Sequence, residues 1–285
     1  MIWILGVGVL GGVYAFYKVA SKKKQRREAG SSLEASRRAW SAGDRKEALV
    51  RLADALFVPS GGKYVASDAR IICDALALFD EVLAAYGIAA RAFRGDALES
   101  MTSGLASGAP SIAEPASLAA VRRFLRGAKG APHKVFSEAI SFHKGPLVHH
   151  LGPSPLGEPT TDESELVNRV GRATLFGDSA EARQMIDRAL PTARPHLAVS
   201  LLNQRAGCFW KEGAFMAALD DYMHCARIEP GNVMHYMNVV ETLGTLGRVP
   251  EAREWTLRAF GATRDNVDLA QVTWAARLLG IENAA

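Results

Sequence analysis

The sequence predicts an all-α chain, with an N-terminal single transmembrane helix followed by a stack of helical hairpins. Three observations predict it. Residues 1–17 carry no charged side chain and are followed at once by a basic cluster. Four later segments repeat one glycine-centred pattern at the head of a helical run. No stretch alternates apolar and polar residues in the way a half-buried strand does. With 285 residues, 48% of them hydrophobic, the chain can bury a substantial core, which excludes a disordered protein.

The first element is Met1–Tyr17, MIWILGVGVLGGVYAFY. At a helical rise of 1.5 Å per residue such a run spans roughly 26 Å, close to the thickness of a bilayer core. Trp3, Tyr14 and Tyr17 lie toward its ends, where amphipathic rings favour the headgroup region. Residues 1–20 are therefore expected to be the anchor and 21–30 a basic juxtamembrane segment. Lys18, Lys22, Lys23, Lys24, Arg26 and Arg27 stand against Glu28, a balance of +5 that leaves −1 for the rest of a chain whose total is +4. The positive-inside rule then sets the N-terminus outside and the C-terminal domain in the cytosol; the Ala- and Arg-rich composition suggests a bacterial inner membrane. A nearly neutral body gives no reason to expect a nucleic-acid partner.

Two other readings of this segment fail on context. A signal peptide carries its basic residues before the apolar run, and none precedes this one. Gly6, Gly8 and Gly11 match the G-x-G-x-x-G dinucleotide fingerprint, but SKKKQRREAGSS follows where a second strand ending in an acidic residue is required. Gly8 and Gly12 form a G-x-x-x-G through which two anchors can pack, which allows a homo-oligomer.

The repeats begin with Gly43, Gly177, Gly213 and Gly247. Each is followed after five residues by Ala48, Ala182, Ala218 or Ala252, and after seven more by Ala55, Ala189, Cys225 or Ala259. Glycine ends a first helix with a tight turn, where a positive φ costs it little. Small residues seven apart share one face of the second helix and let it approach the first closely. Pro230 marks the end of one second helix and Pro250 suits the first turn of another.

This pattern, with 34 residues between Gly213 and Gly247, resembles the tetratricopeptide repeat family. Leu202, Ala206, Phe209, Gly213, Phe215, Ala218, Tyr222, Cys225 and Pro230 fall at the family's positions within 199–232. Tyr236, Val240, Leu243, Gly247, Ala252 and Ala259 do so in 233–266, and Leu166, Val170, Gly177, Ala182 and Ala189 in 163–196. Arg169 and Arg205 depart from the pattern where the family usually has Leu. The expected organisation is a hairpin over 31–57, a helical middle region over 65–145, a linker over 146–162, and three repeats plus a capping helix over 163–280.

Within the middle, Ile72, Ala75, Leu76, Phe79, Val82, Leu83 and Tyr86 form one stripe of a helix over 67–86, with Ser67 as N-cap and Gly87 as stop. Further helices are expected near 89–103, 116–127 and 133–143. Residues 145–165 are rich in Pro and Gly and read as a loop.

No residue set points to catalysis, and the chain is read as a non-enzyme without cofactor or metal. His149 and His150 lack a ligand at helical spacing, and His133 and His143 are ten apart. His224 and His235 flank a repeat boundary. Cys73, Cys208 and Cys225 are too few and scattered for a disulfide framework, and Cys208 and Cys225 suit buried filling of one hairpin. The alternative is a helical enzyme or regulatory subunit with its site in 88–162.

The resemblance implies stacked hairpins whose first helices line a partner-binding face. The sixth position of each first helix holds Asn168, Gln204 and Asn238, with Asn203 beside them. Such amides donate to and accept from an extended peptide backbone. Met234 and Met237 add an adaptable apolar surface. The family's basic clamp for chaperone tails has no counterpart: Ser164, Val167, Gly171, Ser200, Gly207 and Glu241 complete those positions. The expected function is a membrane-anchored scaffold or adaptor for protein–protein interaction in assembling or recruiting a complex.

Overall fold

A computed structural model describes residues 24–58, 62–128, 134–141 and 156–281. The described chain is all-α apart from two short strands and divides into two compact units. The first comprises residues to Ala85 and Ala90–Pro132, and the second Tyr86–Ala89 and the residues from His133 onward.

The expectation of an N-terminal transmembrane helix is corrected here. No helix among the described residues is long and apolar enough to cross a membrane. Residues 1–20, on which that expectation fell, lie outside the described residues, as do Lys22 and Lys23 of the basic cluster.

In the first unit, helix α1 (24–41) and α2 (Arg45–Ala55) form a hairpin around Gly43, whose φ of 79° is the turn expected of glycine. Asp44 caps α2 by accepting from the Glu47 N–H, and Ser36 Oγ donates to Ala48 O at 2.7 Å, fastening α1 to α2. A long helix, α3 (Ala66–Ala84), packs on α2 and on α5 (Ala97–Ala106), while α6 (Ser117–Ala128) packs on α2 and on the single turn α4 (Arg91–Arg94). Phe79, Phe93 and Phe124 meet ring to ring at the centre. Strands β1 (Lys63–Tyr64) and β2 (Ile112–Ala113) pair antiparallel, a two-residue contact too short to leave an alternating pattern.

Several local expectations change. Helix α3 starts at Ala66 after Val65, with no side-chain cap, so Ser67 lies inside its first turn. The helix expected over 89–103 is two, α4 and α5, because Gly95 takes φ 50° and breaks the run.

The second unit repeats one arrangement. Its elements are α7 (Lys134–Ser141), α8 (Thr161–Phe176), α9 (Ser179–Ala189), α10 (Pro195–Glu212), α11 (Phe215–Ile228), α12 (Val233–Thr245), α13 (Val249–Phe260) and α14 (Asn266–Leu278). Helix α9 packs on α8 and α10, α11 on α10 and α12, and α13 on α12 and α14. First helices also meet directly. Helix α8 packs on α10, and Trp210 Nε1 of α10 donates to Thr242 Oγ1 of α12 at 3.3 Å.

The sequence chemistry explains these boundaries. Thr160 and Glu163 form a capping box at the head of α8, and Arg194 pairs with the same Glu163. Asp178, Asn232 and Asp265 cap α9, α12 and α14 through side-chain oxygens. Gly213 and Gly247 turn with φ of 75° and 74°. Gly177 does not: its φ is −120°, an extended exit from α8 that leads directly into the Asp178 cap. Of the small second-helix residues, Ala48, Ala55, Ala182, Ala218, Cys225, Ala252 and Ala259 are buried, and Ala189 is half-buried.

The middle region expected over 65–145 is shared between the units. Helices α3 to α6 lie in the first, whereas Tyr86–Ala89 and α7 belong to the second. There Ala89 N–H donates to Leu278 O at 2.7 Å, and α7 packs on α12 and α14. Of the expected linker, 146–155 falls outside the described residues.

Candidate functional site

Helix α10 is the best-defined first helix, and its faces sort by the 3.6-residue period. Leu197, Leu201 and Cys208 join the core made with α8 and α9, while Val199 and Leu202 join Cys225 of α11. His196, Ser200, Asn203 and Gly207 follow at three- and four-residue steps on the remaining open side. Each is half-buried, and nothing lies within 4 Å of where a Cβ at Gly207 would stand, so bare backbone floors this part of the face.

Two polar atoms on this side have unmet hydrogen-bonding capacity. Asn203 Oδ1 and His196 Nδ1 are buried from solvent with no hydrogen-bond partner. Gln204 lies at the edge toward α8, where its Nε2 donates to Val167 O at 3.2 Å while its Oε1 is left without a donor. A buried acceptor without a donor costs free energy, and Asn203 and Gln204 each leave one such oxygen.

The opposite side of α10 is occupied by charge. Arg205 makes two parallel bonds to Asp221 of α11, at 2.9 and 2.7 Å, and a third to Asp187 of α9 at 2.6 Å. The Asp221 side chain is 7% exposed. The two carboxylates, Asp221 first, hold the Arg205 guanidinium above its ordinary range against the opposing effect of burial. This explains the departure from Leu at 205: the guanidinium fastens one second helix, the first helix and the next second helix together.

The candidate residues are placed unequally. Asn168 is exposed on α8, and Asn203, Gln204, Met234 and Asn238 are half-buried. Asn238 O accepts from Thr242 Oγ1 at 2.7 Å, in line with the Trp210 bond that joins α10 to α12. Met237 is 3% exposed, which corrects its assignment as an open contact residue. It lies seven residues before Gly244, on the face of α12 against which Phe136 of α7 packs. His196 and the Arg205 cluster were missed in sequence; a lone histidine and pairs 16 and 18 residues apart leave no local signal.

Other chemistry-bearing groups have structural partners. His235 is buried and its Nε2 meets Glu229 Oε2 at 2.8 Å, while Asn232 Nδ2 also donates to Glu229. Burial lowers the His235 pKa, with Glu229 opposing; the Glu229 carboxyl is itself held below its usual range despite burial, by Asn232 and His235. His224 is exposed, and His133, His143, His149 and His150 lie outside the described residues. Cys208 Sγ faces Thr174 Oγ1, and Cys225 Sγ donates to Val199 O, so the two thiols belong to different contacts. In the stretch where the alternative site was anticipated, Arg94 is clamped by Asp80 and Glu99, and Arg122 by Glu114. Among the described residues no group of three or more His, Cys, Asp or Glu is placed to hold a metal ion. Comparison with known families, curated proteins and solved structures finds no match to this chain.

Proposed function

We propose that α8–α13 are three tetratricopeptide-like repeats whose first-helix face binds an extended segment of another protein, so that the chain acts as a scaffold or adaptor in assembling a complex. The observation that supports this is the open side of α10. Its row of half-buried polar side chains ends on bare backbone at Gly207 and contains Asn203, whose buried oxygen has no donor. Rotation of that amide presents a donor and an acceptor to a peptide backbone, independent of the peptide's side chains. Asn168 and Asn238 extend the same chemistry onto the neighbouring first helices.

The test is selection of a displayed peptide library on the full-length protein, followed by binding of the enriched peptides to an Asn203→Ala/Asn238→Ala variant. Losing two hydrogen bonds of ~1 kcal/mol each weakens binding by about tenfold or more. Helicity and the unfolding midpoint stay near those of the wild type. Peptides that bind both proteins equally refute the assignment of this face.

A further inference from the structure

The link from α11 to α12 runs through three side chains. Glu229 follows the last residue of α11, Asn232 caps α12, and His235 stands in the first turn of α12. Asn232 Nδ2 and His235 Nε2 both meet Glu229 Oε2, at 2.9 and 2.8 Å, while Asn232 Oδ1 accepts from the Met234 N–H at 3.1 Å. Tyr236 Oη donates to Pro230 O at 3.0 Å and closes the same loop. His235 is 3% exposed and Glu229 8%, and His235 is the only buried histidine among the described residues. The corresponding links, α9–α10 and α13–α14, contain no buried acid or histidine.

The partners of the ring set where its hydrogen sits. A carboxylate only accepts, so Nε2 carries the hydrogen of the neutral imidazole and Nδ1 presents a bare lone pair. Nδ1 is shut off from solvent and has no hydrogen-bond partner. A second proton would therefore place an N–H where no acceptor stands, a cost relieved by bringing the ring to water. The charged groups facing the ring are Glu229, from the end of α11, and Arg264, from the connection between α13 and α14; among the described residues, none faces it from α7, α10 or α13. Glu229 favours the imidazolium, whereas burial and the Arg264 guanidinium oppose it, and burial is the largest of these effects. Arg264 is itself held by Asp268 of α14.

We propose that this link is an acid-sensitive joint: a proton taken up at His235 draws the ring out of its pocket and opens the first turn of α12 while the rest of the stack stays folded. In the opened link the ring is in water and binds a proton with the ordinary affinity of histidine, at about pH 6.5. Opening is thus favoured by mass action below that pH, by up to about tenfold at pH 5.5. The turn carries Met234, and Asn238 lies one turn on, so acid would also disturb the partner face. That consequence rests on the function proposed above, whereas the joint does not.

The test is hydrogen exchange of the full-length protein at about pH 7.5 and 5.5, corrected for the intrinsic pH dependence of exchange, with the amides of α10 as reference. Protection of the amides at 234–238, of which Met234 and His235 bond to Asn232, is expected to fall at least twofold and up to about tenfold relative to α10. His235→Gln keeps a donor toward Glu229 but takes up no proton, and should lose the response. A smaller fall in the wild type, a fall shared equally by α10, or a response that survives in His235→Gln overturns the proposal. Should that variant not fold, an NMR titration of the wild-type imidazole locates the proton. A ring that titrates in step with the opening of 234–238 supports the joint, and one that stays neutral while those amides open refutes it.

Discussion

Replacing Arg205 by Leu, the residue that the repeat resemblance would place there, tests how the second unit is held together. The substitution replaces the guanidinium with a shorter apolar side chain and strands the Asp221 carboxylate at 7% exposure. Removing one partner of a buried pair costs ~3–5 kcal/mol, chiefly through the charge left behind. Arg205 itself is 24% exposed and Asp187 is 58% exposed, so water relieves part of the loss and about 3 kcal/mol is expected. With a urea dependence of about 2 kcal/mol per molar, the midpoint falls by roughly 1.5 M. The assay is urea denaturation read by hydrogen exchange of α10 and α11. The double variant Arg205→Leu/Asp221→Leu removes both charges and should recover most of the loss. A single variant within about 0.5 kcal/mol of wild type, or a double variant no better than the single, refutes the reasoning that Arg205 is retained to neutralise Asp221.

Three other outcomes follow from the same geometry. Burial lowers the His235 pKa, so below the unfolded value of about 6.5 the unfolded chain takes up a proton that the folded one resists. Stability contributed by neutral His235 is thus complete above that pH and declines as the pH falls toward the folded pKa; a His235→Gln variant titrated in urea from pH 7.5 to 5 should show a flatter decline. Gly213→Ala, at φ 75°, should cost ~1 kcal/mol, whereas Gly207→Ala, inside α10 with open space around it, should gain up to about 1 kcal/mol; thermal melts that shift the same way for both would contradict the turn assignment. Cys73 is half-exposed, Cys208 and Cys225 are buried, and burial pushes the Cys225 thiol up to about 12. A thiol reagent at pH 8 should therefore modify Cys73 first and the other two only at the rate of unfolding, as mass spectrometry of timed samples would show.

What the sequence by itself determined is local. Asp44, Asp178, Asn232 and Asp265 cap helices because a side-chain oxygen reaches an N–H two or three residues on, and that geometry needs nothing beyond the segment itself. Gly43, Gly213 and Gly247 turn left-handed for a similarly local reason, and the small residues that follow them mark the faces on which helices meet. Tertiary structure alone decided which apolar stripe covers which. Phe136 and Gly244 are more than a hundred residues apart, and nothing near either one names the other. Met237 reads as an adaptable surface residue until α7 is seen on the same face of α12, and Arg205 reads as an anomaly until Asp187 and Asp221 close on it. Gly177 shows the limit from the other side: it carries the turn signal, yet the exit of α8 runs extended into the next cap. A hydrogen-bonded turn is chosen among a few neighbouring conformations, whereas packing is chosen among all the faces the chain can bring together.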